Sequence, residues 1–273
     1  MDAPLVTGRY FEAPRWHDGA LWLVDSLART LLRVRDGKAV IVCALPDVPA
    51  GLGFLPDGTP IVTAMFTRRL LRCTDGEATV HADLADVARG TIDDMIVDAA
   101  GVCYVGDLGF DLMRGVPPDA RGGLVRVTRD GRAERVADDL WFPNGIAVAD
   151  GRIVVAETNG DSLAELVIGA DAAVTLGRRL GPIGEPDGVC LDSAGGAWVA
   201  AFKEDAIVRI DPDGRETERI AVPGRGIACV LGGGDRRTLF CVSAETSHED
   251  LRRGRSTSRI DTVRVAVPGA GAP

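Results

Sequence analysis

Glu185-Pro186-Asp187-Gly188-Val189-Cys190-Leu191-Asp192-Ser193-Ala194-Gly195-Gly196-Ala197-Trp198-Val199-Ala200 is the stretch from which the fold can be read. A tight opening leads into a short apolar strand, a glycine-rich turn and a second strand, the pattern of a β-hairpin. The pattern returns at Arg15–Asp25, Gly53–Thr63, Asp94–Gly106, Asn144–Ala156 and Ile227–Val242, each time with different polar residues at its opening. The turn glycines Gly19, Gly58, Gly101, Gly151 and Gly195 are 39, 43, 50 and 44 residues apart, a spacing that suits a four-stranded unit.

A third alternating run follows most hairpins: Leu31–Val34, Leu70–Cys73, Leu124–Val127, Leu163–Leu166 and Ile207–Ile210. A charged or small residue between branched apolar ones is what a half-buried strand needs. Six such repeats with hardly any helical periodicity predict an all-β fold, a six-bladed β-propeller with four-stranded antiparallel blades, as one domain over residues 1–273. A solenoid is the competing repeat architecture, but neither end reads as a polar capping repeat. The sixth unit is one strand short, with only Thr262-Val263-Arg264-Val265 after its hairpin, while Leu5-Val6-Thr7 is unused. The simplest closure lets the N-terminal strand complete the last blade.

The balance of 31 Lys and Arg against 40 Asp and Glu, a formal charge of −9, opposes a phosphate-backbone footprint, so nucleic acid is excluded as a partner. No apolar run approaches the roughly 20 residues of a membrane span, and Met1-Asp2-Ala3-Pro4 lacks a secretory start, which predicts a soluble cytoplasmic protein. Cys43, Cys73, Cys103, Cys190, Cys229 and Cys241 form no C-x-x-C pair and read as buried free thiols.

Because the second strand of a hairpin returns to the level where the first began, strand openings and the loops after second strands share one face. On that face fall Asp93-Asp94, Pro143-Asn144-Gly145 and Pro186-Asp187-Gly188. One amide with two or more carboxylates suits a hard divalent cation, and no Cys/His set competes; Pro-Asn-Gly and Pro-Asp-Gly are equally ordinary turn chemistry. Two long loops, Asp107 to Gly123 and Ser243 to Asp261, lie on the same face. The first carries Phe110, Leu112 and Met113 beside Pro117-Pro118 and reads as a substrate cover, against the plainer reading of a self-packed loop. His248, among charged neighbours, reads as solvated, Asp94 as capping its own backbone, and Trp16, Trp22 and Trp198 as core; Trp141 stays open as a substrate contact.

Glu12-Ala13-Pro14-Arg15-Trp16, Phe142-Pro143-Asn144-Gly145-Ile146-Ala147-Val148 and Pro186-Asp187-Gly188-Val189-Cys190-Leu191-Asp192 resemble the three signature segments of the senescence marker protein, gluconolactonase and luciferin-regenerating enzyme family. Leu231–Phe240 resembles its last hairpin, so the likeness runs in order over nearly the whole chain. The resemblance implies one divalent ion held by Glu12, Asn144 and Asp187 on the propeller axis, and hydrolysis of a small-molecule lactone with Asp187 as general base. Oxygen ligands favour calcium, magnesium or manganese by hardness; the family also admits zinc.

Sugar-lactone members carry an Arg and, two residues on, an Asn where this chain has Thr91 and Asp93. The change removes a cation and adds a carboxylate, leaving Glu12, Asp93 and Asp187 against one divalent ion. A typical sugar-acid lactone is then disfavoured, and a neutral apolar or cationic substrate, met by Phe110, Leu112, Met113 and Phe66, is expected. For Asp93 the plainer reading is a hydrogen bond to a nearby turn. Two other classes stay open: a metal-assisted isomerase, cyclase or lyase on the same propeller, and a non-enzymatic binding platform.

Overall fold

Alternating apolar and polar residues, broken by glycine-containing turns, give 24 strands among the described residues, and these hydrogen-bond as six four-stranded antiparallel sheets. The computed structural model describes residues 3–117 and 119–271. Met1, Asp2, Pro118, Ala272 and Pro273 lie outside the described residues, and with them the extreme ends of the expected domain, part of the N-terminal stretch read for a leader, and the second proline of the Pro117-Pro118 pair.

The first strands of the six blades are Phe11–His17, Leu52–Phe54, Ile92–Val97, Pro143–Ala149, Pro186–Leu191 and Arg225–Gly232. Each touches the first strands of both neighbours, and the ring closes between Phe11–His17 and Arg225–Gly232. The fourth strands, such as Lys38–Ala44 and Glu216–Ala221, are largely exposed, so polarity rises from the axis outward. This is a six-bladed propeller. Its core is six apolar clusters, each filling the seam between two adjacent blades: Phe11, Leu23, Val230 and Phe240 join the first and sixth, and Trp198, Cys229 and Leu239 join the fifth and sixth. Blade packing therefore accounts for most of the buried apolar surface.

Inner strands approach one another very closely. A Cβ on Gly145 would lie 2.4 Å from the Asp187 carbonyl oxygen, so only glycine fits where the fourth and fifth blades meet. All six thiols are free; five are buried, while Cys190 is partly exposed, its Sγ 3.8 Å from that of Cys229. At the far end of the axis the C-terminal tail crosses the openings of the inner turns, with Ser193 N donating to Pro268 O and Ala270 N to Leu191 O.

Val6–Gly8 is the outermost strand of the sixth blade, paired with Thr257–Arg264, and Leu5 N donates to Ile260 O at 2.8 Å. Leu5 and Val6 also pack on the seam cluster of the first and sixth blades. The first and last strands thus share one sheet. Removing the first eight residues should lower the melting temperature by on the order of 10 °C, at about 2–4 °C per kcal/mol for a chain of this size. Calorimetry showing an unchanged melt would refute a stabilising role for this strand.

Candidate metal and substrate site

Five of the six inner strands carry the same defect near their openings. Glu12 pairs Val24 while Arg15 pairs Trp22; Ile92 pairs Asp107 while Met95 pairs Val105. Pro143 and Ile146 face Glu157 and Val155, Pro186 and Val189 face Ala201 and Val199, and Gly226 and Ala228 face Ser243 and Val242. In each case the inner strand has one residue more than its partner, which is a β-bulge. Asp93, Asn144 and Asp187 are all the first bulged residue of their strand, and Glu12 directly precedes the bulge of the first blade. Bulges free these side chains from the two-residue alternation and re-aim them, which is how residues far apart in the chain come to share one axis.

The electrostatics couple these side chains to one another. Burial first, then the charges of Asp187, Asp93 and Asp94, push the Glu12 carboxyl well above the usual carboxylate range, against a hydrogen bond from Tyr10. Burial, then Asp93 and Asp94, do the same to Asp187, with a hydrogen bond from Asn144 opposing. Burial and the neighbouring Asp94 raise Asp93 to about 7. Tyr10, held well above its ordinary value by burial and then by Glu12, Asp187 and Asp93, places a hydroxyl in the same cluster. The structure therefore brings together Glu12, Asp93, Asn144 and Asp187.

Asp94 is more than a cap of its own backbone. Its Oδ1 accepts from Met95 N at 2.8 Å, as expected, but it also meets Arg15 Nη2 at 3.1 Å, and its Oδ2 accepts from Ile146 N at 3.1 Å. Arg15, 4% exposed, also donates to Met95 O and Pro14 O. This buried ion pair clips together the strands bearing Glu12, Asp93 and Asn144 and cancels one of four carboxylates. The roles of Tyr10 and Arg15 were missed in the sequence, although Arg15 stands in the segment Glu12–Trp16 and is a charge inside an apolar strand.

Among the described residues no three His, Cys, Asp or Glu side chains form a ready metal-holding group. The Asn144 amide is a further oxygen donor beside the carboxylates. With it, the chemistry fits a hard divalent cation: Asp187 Oδ1 is buried without a hydrogen-bond partner among the described residues, and three carboxylates there lack a protein cation. A buried carboxylate oxygen left unpaired is costly, and a cation would complete its coordination.

The expected substrate contacts behave differently. Thr91, 5% exposed, uses its Oγ1 to accept from Leu112 N at 3.1 Å, and so ties down the loop between Asp107 and Gly122. Phe110 packs edge-on against Phe142, Met113 is 77% exposed, and Trp141 lies under the guanidinium of Arg121. For the Asp93 carboxylate no hydrogen-bond partner is found among the described residues, so the turn-bonding reading does not apply. A cavity of about 310 Å³ opens beside the site, lined by Val116, Pro117, Thr158, Asn159, Asp161, Glu185 and Lys203. The lining is mostly polar where apolar groups were expected, and Phe66, Phe110, Leu112 and Met113 are not part of it.

His248 is not simply solvated: Nε2 lies 3.0 Å from Glu185 Oε2 and the ring stacks on Phe202. Lys203 reaches the other oxygen of Glu185 at 2.9 Å. The second long loop is shorter than its sequence suggested, spanning 246–256, because Glu245 still pairs with Thr257.

The profile of the SMP-30/gluconolactonase/LRE-like region matches residues 11–245. The chain is 33% identical over 168 residues to a 6-deoxy-6-sulfogluconolactonase of Pseudomonas putida, covering 58% of this chain and 58% of that one, so it corresponds to little more than half of that relative. It is 28% identical over 248 residues to a pentonolactonase of Haloferax volcanii, covering 86% and 82%. A luciferin-regenerating enzyme superposes with a TM-score of 0.82 at 18% identity, covering 98% of this chain and 97% of that one, a likeness of fold.

The raised carboxyls set the pH dependence of the cation-free protein. Asp93 binds its proton more tightly folded, at about 7, than at its ordinary 3.8, so the folded state is favoured at low pH and stability falls as pH rises between those values. Glu12 and Asp187 act in the same direction. In chelator, the melting temperature should be lower at pH 8 than at pH 5 by several degrees, and Asp93→Asn should reduce the difference. Equal melts at both pH values would contradict this account.

Proposed function

The chain belongs to the SMP-30/gluconolactonase/LRE-like family, and from that premise we propose that it is a divalent-metal-dependent hydrolase of lactones. The observation that carries the proposal is the buried, unpartnered Oδ1 of Asp187 within a cluster of three mutually repelling carboxylates. Glu12, Asn144 and Asp187 would hold the ion, with calcium, magnesium, manganese and zinc as the candidates. When bound, a divalent ion supplies Lewis acidity, polarising a carbonyl and acidifying water.

The protein's own groups do the rest. Asp187, as the carboxylate beside the ion, takes a proton from the attacking water and serves as the general base. Arg15 neutralises Asp94, so three carboxylates and one dication leave the site with a net charge of about minus one. A substrate bearing its own carboxylate is opposed by that charge. The polar lining supplied by Thr158, Asn159 and Asp161 suits ring hydroxyls better than an alkyl chain. The substrate proposed is therefore a polar, uncharged lactone, a revision of the apolar one expected from Thr91 and Asp93 in the sequence. The names of the two relatives, both lactonases, support the reaction class.

Calcium, manganese or zinc added after exhaustive dialysis should raise the melting temperature, and proton release should be seen on a lactone panel. Asn144→Ala should abolish the cation-dependent stabilisation and lower kcat/KM by about 100-fold or more, a loss comparable to removing one key electrostatic contact. A wild-type melt indifferent to all three ions would sink the metal-dependent reading and favour a binding platform.

A further inference from the structure

We propose that Thr158 is a positioning residue that fixes which end of the Asn144 side-chain amide is presented to a cation. The inference rests on reading Glu12, Asn144 and Asp187 as the ligands, and it follows from the direction of two hydrogen bonds.

Thr158 follows the second strand of the fourth blade, in the turn Thr158–Gly160, and its backbone N donates to Phe142 O, two residues before Asn144. Its Oγ1 lies 2.8 Å from Pro186 O, the carbonyl just before Asp187. A carbonyl can only accept, so the single hydroxyl proton is committed to Pro186. Towards Asn144, 3.3 Å away, the hydroxyl oxygen can then only accept, and the amide must present its NH2 group. With its NH2 end turned to Thr158, the amide leaves its carbonyl oxygen as the part free to meet a cation.

Without the hydroxyl, the acceptor that holds the NH2 end is lost, and a flipped amide would offer a donor to a cation. Thr158 also spans the two ligand-bearing strands, from Phe142 to Pro186, and lines the cavity beside the site. Partners behind a metal ligand are the groups that orient it and tune its affinity.

Titration calorimetry with calcium and with manganese on cation-free wild type, Thr158→Val and Thr158→Ser tests this. Thr158→Val keeps the shape and loses the hydroxyl, and its affinity should fall by about 10–100-fold, whereas Thr158→Ser should stay within about threefold of wild type. If the Val variant fails to fold, Thr158→Ala removes the hydroxyl without adding bulk, and its chelator melt reports folding separately from binding. In an Asn144→Ala background, Thr158→Val should produce no further loss, since the two act as one unit. Wild-type affinity in Thr158→Val, or an equal loss in Thr158→Ser, would overturn the inference while leaving the ligand reading intact. A wild type that binds neither ion would overturn the ligand reading itself.

Discussion

Burial of Glu12, Asp93 and Asp187 close together, with Arg15 as the counter-charge to Asp94 alone, is the constraint on which the rest of the molecule turns, because it opposes their ionisation. Like charges taken out of water are costly, and a scaffold that holds them in place must be stabilised elsewhere. The six seam clusters do this. Each joins two blades through fully buried residues such as Leu23, Leu70, Val155 and Ile207, so the ring resists the expansion that would relieve the repulsion. The scaffold is thus stable where it is apolar and under electrostatic load where it is polar, the usual distribution at a site poised to bind something.

The repeat was legible because it is local. A hairpin turn needs glycine at a fixed offset, and Gly58, Gly101 and Gly195 adopt positive φ there, so the period survives in the sequence even though the blades differ in detail. The convergence of Glu12, Asn144 and Asp187 could be suspected from their position at strand openings and from the family resemblance. What could not be read were relations between blades. Arg15 meets Asp94, 79 residues away, and Thr158 bridges Asn144 and Pro186 across two sheets. Periodicity within a strand carries no information about such pairs. The bulges were equally hidden, since an extra residue in one strand is defined by its partner.

Composition did not anticipate the polar cavity. Phe110, Leu112 and Met113 looked like a lining because they are apolar residues in a loop, yet Thr91 pins that loop from beneath and Phe110 spends its ring on Phe142. Conversely His248 looked idle among charges, and it is held by Glu185 and Phe202. Glu185 itself has a positive φ of 48° one residue before Pro186, so the backbone leading to Asp187 turns through a conformation uncommon for a side-chain-bearing residue. Its carboxylate, tied to Lys203 and His248, helps hold that turn.

The bulged position has a consequence for how such a protein can diversify. A residue left out of the ladder is released from the pairing rules that govern its neighbours. In the five bulged blades it is held by alanine, Ala13, in the first, aspartate in the third and fifth, asparagine in the fourth and isoleucine, Ile227, in the sixth, the alanine and isoleucine packing into seam clusters. The propeller therefore behaves as a circle of interchangeable sockets, in which the chemistry at the centre can be rewritten one blade at a time with little disturbance to the hydrogen-bonded frame around it.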